Sequence, residues 1–169
     1  MSKNKTDFTA AEGIKKLKEL VEEIDTCLFC TNPKTNDGTC TRPIGVQEVD
    51  DEGNLWFFSD VNSDKNKEIK ADKEVQLFFA TPEMSSYMVL NGEAEIIVKR
   101  EKIDESWSPI VKIWFTGNDD PNITLIKVKT KSAYYWDTEG GKMVNFFKML
   151  ASVATGKPLV NGNEGKINV

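Results

Sequence analysis

The chain has 169 residues, of which 39% are hydrophobic and 29% are charged, and its formal net charge is −5. This length and composition predict one soluble domain with room for a packed core. The acidic balance argues against a nucleic-acid partner, since proteins that bind phosphate backbones carry a basic excess. The polar start and the lack of a long apolar run argue against a secretory leader or a membrane span, so we expect a cytoplasmic protein.

Cysteine and histidine content narrows the possible chemistry. Cys27, Cys30 and Cys40 are the three cysteines, and there is no histidine. An odd number of cysteines without a leader predicts reduced thiols. Cys27 and Cys30 match C-x-x-C, but residues three apart in a strand point to opposite faces, so we expect neither a disulfide nor a shared metal ion. Without histidine, Ser-His-Asp and Cys-His nucleophiles are excluded, and any catalysis is expected to rely on a bound cofactor.

The first third of the chain predicts a surface helix followed by short strands. The helix is predicted at about 9–24, from the capping-box pair Thr9 and Glu12 and the apolar residues at helical spacing after them. Strands are predicted at 26–31, 39–49 and 54–59. The last two strands are predicted to form a hairpin. Arg42 and Pro43 lie on the second strand, and proline marks this part as a sheet edge.

Strands dominate the rest of the predicted fold. Ser63 is positioned to cap a helix. Further strands are predicted at 75–81, 86–98, 123–129 and 133–137. Gly92 predicts a bulge or sharp bend in the longest of these. Helical patterns cover about 101–115 and 141–155, and a polar tail is predicted at 157–169. Pro109 is expected to open a second short helix within the first of these patterns.

These elements predict a single domain over residues 1–169 that is mainly β with peripheral helices. There are about six strands, mostly in hairpin order, and several are apolar on both faces. Glycine and proline stand where a sheet must bend. The pattern favours a six-stranded antiparallel barrel over a doubly wound parallel sheet.

A candidate anion site follows the strand at 54–59. Ser59, Asp60, Ser63 and Lys65 are its residues. A helix N-terminus offers unpaired N–H groups and a partial positive charge, which suit a phosphate, and Lys65 adds a full charge. Asp60 and Asp64 oppose an anion. On these residues alone, a capped helix with a surface lysine is the better-supported interpretation.

Arg42 and the late aromatic residues are further candidates. If its strand pairs with residues 55–59, Arg42 can reach the same anion, or can hydrogen-bond a polar ring edge through its planar guanidinium. A surface arginine on an edge strand is the alternative. Aromatic residues in the second half could line a flat ring ligand or a subunit interface, or could belong to the core; they are Trp107, Trp114, Tyr134, Tyr135 and Trp136.

Six segments, in order, resemble one known family. They are Thr-Arg-Pro-Ile-Gly (41–45), Trp-Phe-Phe-Ser-Asp-x-Asn-Ser-x-Lys-x-x-Glu-Ile (56–69), Asn-Gly-Glu-Ala-Glu-Ile (91–96), Trp-Phe-x-Gly-x-Asp-Asp-Pro (114–121), Ala-Tyr-Tyr-Trp-Asp (133–137) and Gly-Lys-Met-Val-x-x-Phe-Lys (141–148). The set is similar to the pyridoxamine 5′-phosphate oxidase-like FMN-binding split barrels, in the general stress protein 26 branch. This resemblance implies a homodimer with flavin at the subunit interface.

The resemblance also implies ten cofactor-binding residues. Arg42, Pro43 and Ile44 would run along the isoalloxazine edge. Phe58, Ser59 and Asp60 would lie beside the ring and ribityl chain, and Ser63 and Lys65 would hold the phosphate. Trp114 and Trp136 of the second subunit would flank the ring. No catalytic residue is assigned, and no metal site is expected.

Two departures from the family pattern limit the expected activity. The true oxidases carry an Arg-x-His-Asp-Arg-like segment that helps hold pyridoxal phosphate, whereas here Tyr134 to Asp137 are followed by Thr-Glu-Gly-Gly. Vitamin B6 oxidation is therefore not expected. Asp64 stands where the oxidases often have arginine.

The resemblance implies a flavin-dependent oxidoreductase. FMN is the expected cofactor, FAD is possible, and NAD(P)H or another small molecule would be its reaction partner. Other possibilities are a non-catalytic flavin binder, a stress-response interaction protein without flavin, and a deazaflavin protein.

Overall fold

A computed structural model describes residues 3–5, 10–35, 40–81, 86–138 and 162–168. These ranges contain nine strands, three α-helices and one 3-10 helix. In chain order the elements are β1 (Lys3–Lys5), α1 (Ala10–Glu23), β2 (Thr26–Thr31), β3 (Thr41–Gly45), β4 (Glu48–Val49), β5 (Asn54–Asp60), α2 (Asp64–Ala71), β6 (Glu74–Thr81), β7 (Ser86–Ile97), α3 (Arg100–Ser106), the 3-10 helix (Pro109–Ile113), β8 (Ile123–Thr138) and β9 (Gly162–Asn168). The predicted helix at 141–155 and the predicted cap Thr9 lie outside the described residues.

The sheet is built around β8. One edge of β8 pairs antiparallel with β7, and the other edge pairs with β5 along its first half and with β9 along its second half. From β7 the sheet continues through β6 and β2 to β3 at its edge. Two short strands complete it, since β4 pairs with β5 and β1 pairs in parallel with β9. The sheet therefore divides along one edge of β8.

The sheet curls around one hydrophobic core. Phe29 of β2 and Phe57 of β5 pack edge to face with ring centroids 5.3 Å apart, although three strands separate β2 from β5 within the sheet. Leu17 and Leu20 of α1 are buried in the same cluster. The resulting fold is mainly β and antiparallel, a split barrel with peripheral helices.

A second hydrophobic cluster lies on the outer side of β5 and β8. Successive residues of a strand face opposite ways, so Phe57 enters the barrel core whereas Trp56 enters the second cluster. Ile103 of α3 and Val111 of the 3-10 helix cover this cluster. Pro109 stands at the start of the 3-10 helix, which confirms the predicted break within 101–115.

Two strand predictions were wrong. Residues 39–49 were expected to form one strand paired with residues 55–59, but β3 pairs with β2, and only Glu48–Val49 pairs with β5. The chain changes partners after β3, where the backbone N–H of Val46 donates to Asp25 and that of Gln47 donates to Trp56. The strands predicted at 123–129 and 133–137 are one continuous strand, β8.

The predicted bulge at Gly92 is confirmed, because the pairing of β7 with β8 shifts register between Asn91 and Gly92.

The prediction of a polar tail was wrong for residues 162–168. These residues pair with β8 as β9 and bury Ile167 in the core. No helix in the described ranges is long and apolar enough to span a membrane.

Candidate functional site

The predicted helix cap is confirmed at the junction between β5 and α2. Ser63 has extended backbone angles, and its Oγ accepts a hydrogen bond from the backbone N–H of Asn66 at 3.2 Å. Ile69, buried in the core, anchors the helix. Because the first N–H groups of a helix have no partner within the helix, those of Asp64 and Lys65 remain available. Neither meets an acceptor within the described part of the chain.

A buried polar network fixes this junction. Ser59 Oγ donates to Asn66 Oδ1 at 2.8 Å and lies 3.2 Å from Ser63 Oγ. Asn66 Nδ2 donates to Thr124 Oγ1 at 2.9 Å, and Thr124 Oγ1 donates to the Ser59 carbonyl oxygen at 2.9 Å. Asn66 is fully buried. Asn66 and Thr124 were not predicted, because no local pattern marks a residue whose partners come from two other elements.

Lys65 is half-buried, and no residue in the described ranges pairs with its ammonium group. Burial, and after it the positive charge of Arg42, lower the pKa of Lys65 to about 8, although Cys27 and Glu68 act in the opposite direction. Unpaired buried charges are costly. An anion beside Lys65 and Arg42 would remove this cost.

Arg42 reaches α2 from β3 rather than from a strand beside β5. Its Nη1 donates to Glu68 Oε2 at 2.8 Å and to Thr31 Oγ1 at 3.3 Å. Thr31 Oγ1 and Cys40 Sγ also donate to the Glu68 carboxylate. Burial acts to raise the pKa of Glu68, but the hydrogen bonds from Arg42 and Thr31 outweigh it and hold the pKa below its usual value. Glu68 belongs to the 56–69 motif, although no role was predicted for it.

The two aspartates that oppose an anion have partners of their own. Asp60 Oδ1 accepts a hydrogen bond from the backbone N–H of Asn62 at 2.7 Å. Asp64 is exposed and forms an ion pair with Lys67 at 2.9 Å, which lowers the pKa of Asp64. The Asp60 carboxylate therefore stabilises the local turn, and the Asp64 carboxylate forms an ion pair at the helix surface.

The three residues proposed to face an anion, Arg42, Ser63 and Lys65, are together named the basic site.

Some predicted residues lie with the basic site and others do not. Paired residues of an antiparallel ladder point to the same face. Ile44 pairs with Cys27 and packs against the core, so it shares the face of Arg42. Pro43 pairs with Leu28 on the opposite face. Phe58 packs on Trp107, with centroids 6.1 Å apart, in the second cluster and points away from Ser59.

The two predicted tryptophans lie far apart in the topology. Trp114 follows the 3-10 helix and is 71% exposed. Trp136 lies on β8, pairs with Tyr87 of β7, and is 40% exposed. Within one chain, the basic site is thus formed without either tryptophan.

Exposed apolar side chains cover the outer face of the sheet. We name this set the apolar outer face; its residues are Leu28, Pro43, Phe78, Tyr87 and Trp136. Leu28 pairs with both Pro43 and Phe78 on adjacent strands, and Tyr87 pairs with Trp136. Contiguous exposed apolar surface of this kind marks interaction sites.

Cys27 carries no reactive signature. Cys27 and Cys30 are both buried, and burial raises the pKa of Cys27 to about 12, against the effect of the Lys65 charge. A thiol with this pKa stays protonated at neutral pH. In the described ranges, no group of three or more His, Cys, Asp or Glu side chains is arranged to hold a metal ion.

Solved structures with this fold are known. A protein from Jannaschia sp. CCS1 named general stress protein 26 has a TM-score of 0.78 at 22% identity, covering 95% of this chain and all of that one. A general stress FMN/FAD binding protein from Xanthomonas citri has a TM-score of 0.64 at 22% identity, covering 76% of this chain and 89% of that one. General Stress Protein 26 from Bacillus anthracis has a TM-score of 0.63 at 21% identity, covering 72% and 92% of the two chains. These similarities show the fold.

Sequence comparison agrees with the fold. The protein bli-3 of Neurospora crassa is 25% identical over 113 residues, which are 62% of this chain and 54% of that protein. The match thus spans about half the length of this curated relative. The family model described as Pyridoxamine 5'-phosphate oxidase like matches residues 12–159. The resemblance seen in the six motifs is confirmed, and the chain belongs to the pyridoxamine 5′-phosphate oxidase-like family.

Proposed function

We propose that the protein binds FMN, with the phosphate in the basic site, and acts as a flavin-dependent oxidoreductase. The observation that carries this proposal is the half-buried Lys65 ammonium, which no described residue pairs and whose pKa is lowered to about 8 by burial and by Arg42. Two cations that disfavour each other's charge, with no ion-pair partner for Lys65 among the described residues, are suited to an anionic ligand.

The groups around Lys65 fit a phosphate monoester. The backbone N–H groups of Asp64 and Lys65 are available at the N-terminus of α2, where the helix dipole favours negative charge. The Ser63 hydroxyl accepts from Asn66, and its hydrogen, which can donate to Ser59 Oγ at 3.2 Å, can turn to a bound ligand instead. In this proposal Lys65, Ser63 and the helix end hold the phosphate.

Arg42 and its neighbours are proposed to contact the flavin ring. Nη1 of Arg42 is occupied by Glu68 and Thr31, which leaves Nη2 and Nε for a polar ring edge. Ile44 shares this face of β3 and can supply an apolar contact. When bound, FMN supplies hydride or electron transfer, and the chain binds, orients and shields it.

The proposal includes a homodimer in which the apolar outer face lies against a second copy. Four of its side chains are 37–48% exposed, which is unusual for a row of Leu, Phe, Tyr and Trp. Trp136 of that second copy would then flank the flavin, as the family resemblance implies. The buried thiol of Cys27 fits a cytoplasmic location.

FMN and riboflavin titrations test the proposed phosphate site. The purified protein should show flavin absorption bands, or should quench flavin fluorescence when FMN is added. Lys65→Ala should weaken FMN binding about 10- to 100-fold, as for loss of one charge-assisted hydrogen bond. The same substitution should change the affinity for riboflavin little, because riboflavin lacks the phosphate.

Lys67→Ala is the matched control, because Lys67 lies on the same helix and pairs only with exposed Asp64 among the described residues. It should leave FMN affinity unchanged. A protein that takes up neither FMN nor FAD contradicts the proposal. Anaerobic bleaching of the bound flavin by NAD(P)H would support the oxidoreductase, whereas bound flavin that reductants of this class leave oxidised would favour a non-catalytic flavin binder.

A further inference from the structure

Glu68 lies where three parts of the fold meet. It is on α2, one turn beyond Lys65, so both side chains project from the same side of the helix. Its carboxylate accepts hydrogen bonds from Arg42 of β3, from Thr31 of β2, and from Cys40, which immediately precedes β3. Both carboxylate oxygens are engaged, because Cys40 uses Oε1 while Arg42 and Thr31 use Oε2.

This arrangement determines the orientation of Arg42. A guanidinium group is planar and carries five N–H donors, so holding Nη1 restricts the direction of the remaining donors. Nη1 donates to Glu68 at 2.8 Å and to Thr31 at 3.3 Å. In the part of the chain that the structure describes, Nη2 and Nε have no acceptor. Arg42 is therefore held from one side and available on the other.

Glu68 also affects the balance of charge. The positive charge of Arg42 disfavours the charged form of Lys65, and the negative charge of Glu68 favours it. A neutral residue at position 68 would leave two cations facing each other. A residue without a hydrogen-bond acceptor, such as alanine, would also release Arg42 to reorient away from Lys65.

We propose that Glu68 is a positioning residue: it holds Arg42 so that Nη2 and Nε face the flavin ring, and it keeps Arg42 and Lys65 together in one site. This inference rests on the proposed flavin binding. The simpler alternative is that the Arg42–Glu68 pair only ties β3 to α2. The two differ in whether the loss of Glu68 acts through Arg42 on the ligand.

A double-mutant cycle with riboflavin separates the two roles. Glu68→Ala, Arg42→Ala and the double variant are titrated with riboflavin, which reports on ring contacts without the phosphate. Glu68→Ala is expected to weaken riboflavin binding about 10-fold, with no further loss when it is added to Arg42→Ala. Glu68→Gln, which keeps an acceptor for Arg42 and Thr31, is expected to retain most of the riboflavin affinity and covers the case in which the alanine variant fails to fold.

The charge effect has its own readout. Because Glu68→Gln removes the charge that favours protonated Lys65, its FMN affinity should fall more between pH 7 and pH 9 than that of the natural protein, whereas riboflavin affinity should not. Glu74→Gln is the control, because it removes only the ion pair that Glu74 of β6 forms with exposed Lys34. It should change the pH dependence of neither FMN binding nor riboflavin binding.

Three results would overturn the inference. In the first, Glu68→Ala and Glu68→Gln bind riboflavin and FMN as the natural protein does. In the second, the loss of riboflavin affinity caused by Glu68→Ala persists in full when Arg42 is already alanine. Either result overturns the positioning role and leaves the proposed FMN site intact. If the natural protein binds neither flavin, the proposed function and this inference both fail.

Discussion

Ser59 and Asn66 are joined by a buried hydrogen bond of 2.8 Å that ties the end of β5 to the first turn of α2. Asn66 uses its amide nitrogen to bond Thr124 of β8, so one side chain connects three elements. The position of Ser63 and Lys65 depends on this connection, because both lie within the same turn of α2. The basic site is therefore supported by a polar network inside the fold.

Asn66→Leu should destabilise the protein. Leucine has a similar size but removes two buried hydrogen bonds, the one that Ser59 donates to Asn66 and the one that Asn66 donates to Thr124. A hydrogen bond of this kind contributes about 0.5–1.5 kcal/mol, and two are lost here. Urea denaturation should show a lower free energy of unfolding with an unchanged slope. Asn91→Leu, at an exposed amide on β7, is the control and should cost far less.

Ser63→Ala should weaken α2 by removing its N-cap. The loss of a serine cap costs about 1 kcal/mol, and glycine at the same place costs only a few tenths of that. Ser63→Asp should keep the cap but place a negative charge beside the proposed phosphate. Stability should thus follow the order Ser ≈ Asp > Gly > Ala, whereas FMN affinity should be lowest for Asp. Identical orders for stability and affinity would argue against a ligand contact at Ser63.

Lys65 should make FMN binding depend on pH. Its pKa is about 8, below the usual 10.5, so the free protein loses this charge as pH rises through 8, and a phosphate loses its main partner. FMN affinity should be nearly flat from pH 6.5 to 7.5 and then fall by up to about tenfold per pH unit. Lys65→Arg, which stays charged, should remove this dependence. Riboflavin affinity should not follow the same curve.

The same lowered pKa has a consequence for stability. The unfolded chain binds more protons than the folded one between pH 8 and 10.5, because Lys65 keeps its usual pKa only when unfolded. The contribution of Lys65 to the free energy of unfolding therefore rises with pH across this window. Below pH 8, Lys65 destabilises the folded state most. Lys65→Met should flatten this part of the pH profile, as measured by urea denaturation of the flavin-free protein.

The features that depend on neighbours in the sequence were predictable. Ser63 as a cap, Pro109 at a helix start and Gly92 at a bulge each follow from the conformations that these residue types favour. The partner of β3 was not predictable in this way. Local pattern suggests a hairpin with β5, but Val46 and Gln47 redirect the chain, and the pairing with β2 is set by the barrel as a whole.

The candidate site shows the same limit. The motif at 56–69 pointed to Ser63 and Lys65, and the structure gives them the expected helix end. The role of Glu68 depends on Arg42, which is 26 positions earlier and comes from another strand. Only the folded chain reveals that the arginine is held by an acid from α2.

Gly92→Ala should destabilise the barrel. A Cβ at this position would lie 2.6 Å from the carbonyl oxygen of Lys129 and 2.8 Å from a methyl group of Val128, so β7 and β8 would have to separate locally. Overpacking of this kind costs about 1–3 kcal/mol. Thermal unfolding should show a lower midpoint for Gly92→Ala. Gly45→Ala, whose Cβ would meet only one atom, at 3.9 Å, is the control and should have a much smaller effect.

Trp136→Glu should prevent the proposed dimer. Trp136 is 40% exposed and Phe78 is 37% exposed on the apolar outer face, and a carboxylate there would have to lose its water when a second copy packs on it. Light scattering at micromolar concentration should report a dimer for the natural protein and a monomer for Trp136→Glu and Phe78→Glu. Val98→Glu is the control, because Val98 is 63% exposed but lies outside the apolar outer face.

The same variants test whether the flavin site needs two subunits. If Trp136 of one copy flanks the flavin of the other, FMN affinity should fall together with dimerisation, and Trp136→Phe should restore both, since phenylalanine keeps an apolar ring. Phe78→Glu should lower FMN affinity only through loss of the dimer, so its affinity should recover at high protein concentration. A monomeric Trp136→Glu protein with full FMN affinity would show that the basic site of a single chain is sufficient.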